Sequence, residues 1–128
     1  MKVLLDTHAF LRALMEPRLL SAKVRRLLED SSTHVVVSTA SAWEIAIKFR
    51  HGKLPGAATV VADYDAAIHG LQAQSLAIRD RHALLAGQLP HDHRDPFDRL
   101  LVAQADIEGL TLISRDRVLR QLGAKPLW

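Results

Sequence analysis

The sequence predicts an α/β protein in which a mainly parallel sheet is covered by helices on both faces. Two observations lead to this prediction. Short aliphatic runs alternate along the chain with longer segments of helical periodicity, and the runs are apolar at consecutive positions. Strands buried on both faces have this continuous apolar character, whereas a sheet with one solvent-facing side alternates polar and apolar residues.

The predicted strands are short and rich in aliphatic residues, and they cover residues 2–5, 34–38, 71–78 and 110–114. The third strand has the weakest pattern, because Gln72 and Gln74 alternate there with small residues. An extended piece at 124–128 is suited to a further strand at the edge of the sheet.

The predicted helices are bounded by capping or helix-breaking residues. In chain order they cover residues 8–15, the segment after Ser21, the segment from Thr39 or Ser41 to Gly52, and residues 58–68, 81–89 and 96–108. Pro96 suits a first helical turn, and Gly109 suits the end of that helix. A short amphipathic helix is predicted after Asp116.

Composition indicates one globular domain over residues 1–128. Of the 128 residues, 48% are hydrophobic and 24% are charged, which excludes a disordered chain. The net charge of +3 permits a nucleic-acid partner without proving one. The absence of Cys excludes disulfides and thiolate metal sites. The sequence has no apolar run long enough for a membrane span, and its first residues read as a strand, so we expect a cytoplasmic protein.

Four acidic residues stand where predicted strands and helices meet: Asp6, Glu44, Asp98 and Asp116. Ligands of parallel sheets bind at the carboxyl ends of the strands, and all four positions can converge there. Carboxylates that repel one another need a cation, and ligands that are all oxygen favour Mg²⁺ or Mn²⁺. Such a site activates a metal-bound water and stabilises charge on an attacked phosphodiester, so the expected substrate is a nucleic acid backbone.

Each acid also has a structural interpretation that is favoured, or equally good, when the residue is taken alone. Asp6 and Asp116 suit helix caps. Glu44 and Lys48 are spaced as a surface ion pair, and Asp98 suits the positive end of a helix dipole. The functional interpretation depends on the set, which occurs in this order at one edge of the predicted sheet.

Four segments, LLDTHAFL, SAWEIAIKFRHGKL, DPFDRLLVAQA and LISRD, resemble the PIN-domain family and in particular its VapC-type toxins. The similarity extends over essentially the whole chain. It implies a PIN-like three-layer α/β/α sandwich and an endoribonuclease that depends on Mg²⁺ or Mn²⁺. It also implies a homodimer, an RNA substrate and neutralisation by a small antitoxin protein.

The resemblance assigns the metal site residue by residue. Asp6, Glu44, Asp98 and Asp116 match the family's catalytic acids, and Ser114 matches a small hydroxyl position two residues before the last acid. Asp95 offers a second acid in the DPFD segment, either as a metal or water ligand or as a helix cap, and we favour the cap.

Basic residues near the acids are candidates for binding phosphates: Arg50, Lys53, Arg94, Arg99, Arg115 and Arg117. Arg99 and Arg115 directly adjoin proposed ligands, so they join Ser114 and Asp95 as candidate substrate contacts. Solvated surface charge remains the alternative for each. Trp43 is assigned to the core. The apolar residues between positions 54 and 64 suit either core packing or a surface for a dimer partner or antitoxin.

Three other functions compete with this interpretation. A zinc site at His91 and His93 is disfavoured, because their spacing in a proline-bounded loop lacks the helical pairing of zinc proteases. A phosphatase of the haloacid-dehalogenase kind has a second acid two residues after its first, where this sequence has His8. A binding module without catalysis is weakened, because all four acids are present.

Overall fold

The computed structural model describes residues 1–90 and 95–128, and within them one sheet has four parallel strands. These are β1 (Lys2–Leu5), β2 (His34–Ser38), β3 (Gln74–Leu76) and β4 (Thr111–Ile113), arranged in the order β3-β2-β1-β4. Leu5 at the end of β1 pairs with Val37 on one side and with Ile113 on the other. The predicted parallel sheet is confirmed, with β1 flanked on both sides.

Seven α-helices connect the strands within the described residues. They are α1 (Thr7–Met15), α2 (Ala22–Glu29), α3 (Thr39–Arg50), α4 (Ala58–Ala62), α5 (Tyr64–Gly70), α6 (Asp80–Gln88) and α7 (Pro96–Glu108). Short 3₁₀ helices occur at Pro17–Leu19, Pro55–Ala57 and Arg117–Leu122. None of the helices in the described ranges is both long enough and apolar enough to cross a membrane.

Alternate residues of β1 face two separate hydrophobic clusters, which makes the fold three layers deep. Val3 and Leu5 pack in a cluster with residues of the helices from α1 to α5. Leu4 faces the opposite side and packs with residues of α7 and of the last 3₁₀ helix. Because side chains of a strand point alternately to its two faces, the three consecutive apolar residues of β1 are explained by burial on both sides.

Side-chain caps fix where several helices begin. Ser21 accepts a hydrogen bond of 3.1 Å from the Val24 N–H and caps α2, as predicted. The cap of α3 is Ser38, whose hydroxyl accepts from the Ala40 N–H at 3.0 Å, so the prediction of Thr39 or Ser41 is wrong. The strand β2 runs directly into this helix and leaves no separate turn to supply another cap.

The structure departs from the predicted elements at several places. The predicted helix over 58–68 is two helices, since Asp63 has a non-helical backbone that interrupts it and a side chain that caps α5. The third strand is limited to Gln74–Leu76, and the helix after Asp116 is 3₁₀. The extended piece at 124–128 contributes only an isolated bridge, between Ile113 and Leu127.

Two assignments of apolar residues are also resolved. Trp43 is 54% exposed, so its assignment to the core is wrong. It lies off the buried stripe of α3, which includes Ser41, Glu44 and Ile45. In the segment between positions 54 and 64, Leu54, Val60 and Tyr64 pack against the core, and Val61 is exposed.

A buried histidine joins α6 to the carboxyl end of α7. The Nδ1 of His82 accepts a hydrogen bond of 3.0 Å from the Arg79 N–H, so the ring proton is on Nε2. This Nε2 lies 2.8 Å from Oε1 of Glu108 and donates to it, and Arg81 pairs with the same carboxylate. The hydrogen bond from His82, followed by weaker contributions from Arg81, holds the pKa of Glu108 below its ordinary value of 4.5.

We expect Glu108→Gln to destabilise the protein at neutral pH. Because the fold lowers the pKa of Glu108, the charged carboxylate stabilises the folded protein. This stabilisation is fully present above the ordinary pKa of 4.5 and is lost as the pH falls through the lowered pKa. The difference in melting temperature between the variant and the wild type should therefore shrink as pH falls through this window. Glu29→Gln, at an exposed position of α2, is the control for loss of one surface charge. A difference that stays constant with pH would contradict the expectation.

Candidate active site

The carboxyl ends of β1 and β4 lead directly into Asp6 and Ser114. The Asp6 N–H donates a hydrogen bond of 3.0 Å to the Ile113 carbonyl, which extends the pairing of these strands by one residue. Since β1 lies between β2 and β4, Asp6 occupies the middle of this edge. The expectation that a ligand site forms at this edge therefore centres on Asp6.

The Asp6 carboxylate is only 7% exposed and is held by two donors. Its Oδ1 accepts a hydrogen bond of 2.7 Å from the Ala9 N–H, so Asp6 is the N-cap of α1. The hydroxyl of Ser114 donates a second hydrogen bond to it. The cap that was weighed for Asp6 alone is therefore present, and it also fixes the carboxylate at the sheet edge.

The net effect of its surroundings is to raise the pKa of Asp6 above its ordinary value. Burial is the largest cause, and the negative charge of Glu44 adds to it, while Ser114, the Ala9 N–H and His8 act in the opposite direction. The ionised form of Asp6 is thus disfavoured in the folded protein. A cation at this position would offset that penalty.

Glu44 is 4% exposed and lies one turn into α3. The hydroxyl of Thr7 donates to its Oε1 at 2.5 Å, and the Lys48 ammonium forms an ion pair with its Oε2. A hydrogen bond of 3.0 Å joins the hydroxyls of Thr7 and Ser41 and continues this network. The spacing of Glu44 and Lys48 indicated the ion pair, but Thr7 and Ser41 were not anticipated.

Asp98 lies in the first turn of α7 and is partly buried. Asp95 is the N-cap of this helix, as we favoured, and its Oδ1 accepts from the N–H groups of Phe97 and Asp98 at 2.9 and 3.3 Å. The ring of Phe97 packs edge-on against Trp43 with centroids 5.0 Å apart. This contact places the beginning of α7 against the part of α3 that carries Glu44.

Asp116 is exposed and caps the last 3₁₀ helix, where its Oδ1 accepts from the Val118 N–H at 2.9 Å. Its own N–H donates to the Ser114 hydroxyl oxygen at 3.0 Å. Ser114 therefore contacts both Asp6 and the backbone of Asp116, and it connects the first and last proposed acids.

Of the four acids, the described residues show only Asp6 and Glu44 close to each other. Glu44 is close enough to Asp6 for its charge to raise the pKa of Asp6, whereas Asp98 and Asp116 are connected to these two residues through their neighbours. Over residues 1–90 and 95–128, no three His, Asp or Glu side chains are grouped closely enough to hold a metal ion. The oxygen chemistry of the set still fits Mg²⁺ or Mn²⁺. His91 and His93, considered for zinc, lie outside the described residues.

The basic candidates are placed differently from one another. The Arg99 guanidinium donates to the Ala86 and Leu89 carbonyls at 2.8 and 2.7 Å, at the carboxyl end of α6. Arg115 is exposed and lines a cleft beside Ser114. Lys23, which lines the same cleft, was not singled out from the sequence, because it lies far from the acids along the chain.

Comparisons with known proteins agree with this architecture. The sequence matches the family described as PIN domain over residues 3–125. A solved structure of VapBC2 from Rickettsia felis, bound to a DNA fragment from its promoter, has a chain of the same fold, with a TM-score of 0.67 and 13% identity. That match covers 100% of this chain and 98% of the other. No curated protein matches the sequence. The chain belongs to the PIN domain family.

Proposed function

We propose that this protein is a metal-dependent endoribonuclease that acts as the toxin of a type II toxin–antitoxin pair. The observation that carries the proposal is the Asp6 carboxylate, which is buried at the middle of the sheet edge. It lies close to Glu44 and is hydrogen-bonded to Ser114. Membership of the PIN domain family supports nuclease chemistry at this edge. The proposed reaction is hydrolysis of RNA phosphodiester bonds.

Asp6, Glu44, Asp98 and Asp116 would hold Mg²⁺ or Mn²⁺. Asp6 is suited to this role because burial and the charge of Glu44 both disfavour its ionised form, and a divalent cation would offset both effects. When bound, the metal would supply a Lewis acid that lowers the pKa of a water and stabilises charge on the phosphodiester.

Neighbouring polar groups would orient these acids. Ser114 donates to Asp6 and so fixes the direction of its carboxylate. Thr7 and Lys48 together hold both oxygens of Glu44. Partners of this kind keep ligands in position and affect metal affinity.

The proposed partners are a cognate antitoxin, an RNA substrate and a second copy of the chain. The named structural neighbour is VapBC2, which supports an antitoxin as a partner here. We propose the homodimer because the family resemblance implies it, and a cytoplasmic location because of the composition and first residues of the sequence.

We expect Asp6→Asn and Asp98→Asn each to reduce RNA cleavage by roughly a hundredfold or more while the protein stays folded. An amide is a neutral and weaker metal ligand, but Asn caps helices as well as Asp does, so the Asp6→Asn variant retains the cap of α1. The control is Asp106→Asn, which makes the same change near the other end of α7. Cleavage of a labelled RNA and circular dichroism measure the two properties. Near wild-type cleavage by either variant would remove that residue from the site.

In chelator at neutral pH, we expect Asp6→Asn to melt at a higher temperature than the wild type. Because the pKa of Asp6 is raised in the fold, wild-type stability is lost as pH rises from the ordinary value of 3.8 through the raised value. The advantage of the variant should therefore disappear at low pH. Adding Mn²⁺ should stabilise the wild type, by about 2.7 kcal/mol at a hundredfold excess over Kd, and should stabilise the variant far less.

Calorimetry in chelator and in saturating Mn²⁺ measures both effects. Equal melting temperatures in chelator, together with no gain from Mn²⁺ in the wild type, would show that Asp6 is not part of a metal site. A binding module that has lost its metal would give that result.

We expect induced expression of the wild type to stop bacterial growth and expression of Asp6→Asn to leave growth unaffected. Co-expression of the small protein encoded beside the toxin should restore growth. Growth curves with matched protein levels measure this effect. If soluble wild-type protein that cleaves RNA were harmless at high levels, the toxin role would be wrong and the nuclease role would stand.

A further inference from the structure

A cleft of about 550 Å³ opens beside Ser114, between α2, the segment after β4 and the carboxyl-terminal residues. Four basic side chains line it, together with Ser114 and the last residues of the chain: Lys23, Arg115, Arg117 and Arg120. No Asp or Glu is among the described residues that line this cleft. We refer to it as the basic cleft.

The charges of the basic cleft are available to a ligand. All four basic residues are exposed, and none of them forms an ion pair with an acid within residues 1–90 and 95–128. Asp116 lies between Arg115 and Arg117 in sequence, and its carboxylate accepts the Val118 N–H. The cleft therefore concentrates positive charge that the fold itself does not use.

The basic cleft adjoins the acidic edge at Ser114. Ser114 lines the cleft, and its hydroxyl donates to the Asp6 carboxylate. A polyanion bound along the cleft would thus extend to within one side chain of Asp6. Because Ser114 belongs to both, the expected occupant is a substrate rather than an unrelated anion.

We infer that the basic cleft binds the phosphate backbone of a single-stranded RNA substrate and leads it to Asp6. This inference rests on the proposed nuclease function and deepens it by assigning a binding site for the strand. Cationic grooves with an aromatic wall are the usual means of holding single strands, and Trp128 supplies such a wall here.

Binding of a short, fluorescein-labelled single-stranded RNA to the full chain, measured by anisotropy in chelator, separates binding from cleavage. The test variants are Lys23→Gln and Arg120→Gln, and the control is Arg25→Gln. Lys23 and Arg25 are both exposed and flank the buried Val24 of α2 on opposite sides, so the control removes the same charge outside the cleft. We expect each test variant to bind more weakly and to reduce the dependence of log K on log salt by about 0.7, as for one lost phosphate contact.

The control should retain the wild-type affinity and salt dependence. Equal losses for Lys23→Gln and Arg25→Gln would overturn the inference, because net charge alone would then explain binding. So would unchanged RNA binding by both test variants. The inference would also be overturned if a duplex DNA probe bound as tightly as RNA and lost as much affinity in the test variants. That result would assign the cleft to DNA.

Failure of the nuclease proposal would be distinguishable from failure of the cleft. If the wild type cleaves no RNA but binds it in chelator with the expected dependence on Lys23 and Arg120, the cleft stands and the proposed function fails. If the wild type cleaves RNA while both test variants bind it normally, the cleft fails and the proposed function stands.

Discussion

The parallel pairing of β1 with both β2 and β4 is the constraint on which the candidate site depends. It places Leu5 between Val37 and Ile113, and the Asp6 N–H continues the pairing by donating to the Ile113 carbonyl. The chain leaves the sheet at Asp6 and enters α1 at once, with the same side chain as the cap. The position of one carboxylate is therefore fixed by a strand, a helix end and the neighbouring strand together.

The two buried acids at this edge are neutralised to different degrees. The Lys48 ammonium pairs with one carboxylate oxygen of Glu44, and the Thr7 hydroxyl donates to the other. Within residues 1–90 and 95–128 Asp6 forms no ion pair, and its pKa remains raised although Ser114, the Ala9 N–H and His8 favour its charged form. A buried charge without a counterion is costly in a folded protein, which is why such a residue is a candidate for function. The negative charge of Asp6 is therefore less compensated than that of Glu44, and a bound metal would stabilise Asp6 most.

Periodicity predicted the sheet well, because strands buried on both faces have a distinctive sequence. The consecutive apolar residues Val3, Leu4 and Leu5 indicated cover on two sides, and the structure has that cover. Periodicity did not predict the break at Asp63, where a local side-chain cap interrupts an otherwise helical pattern. It also misplaced Trp43, because a hydrophobic side chain in a helix reads as core unless its position relative to the buried stripe is known.

The site was predictable in part for a similar reason. Acids that follow strands are visible in the sequence, and the order of Asp6, Glu44, Asp98 and Asp116 indicated a shared edge. Contacts between residues distant in the chain were not visible. The hydroxyl of Thr7 reaches Glu44 only because α1 and α3 leave adjacent strands at the same edge. Lys23 joins the basic cleft only through the packing of α2 near the carboxyl terminus.

Ser114 lies between the basic cleft and the acidic edge, and the cleft would counter the repulsion that any acidic nuclease site exerts on RNA. RNA is a polyanion, and the carboxylates of Asp6 and Glu44 repel it before a metal is bound and partly afterwards. A net charge of +3 spread over the whole surface would offset this repulsion weakly at physiological salt. Four cations gathered within one cleft act at short range, where screening is least effective. Since Ser114 belongs to the cleft and also holds Asp6, attraction of the strand and placement of the acid would depend on the same turn after β4.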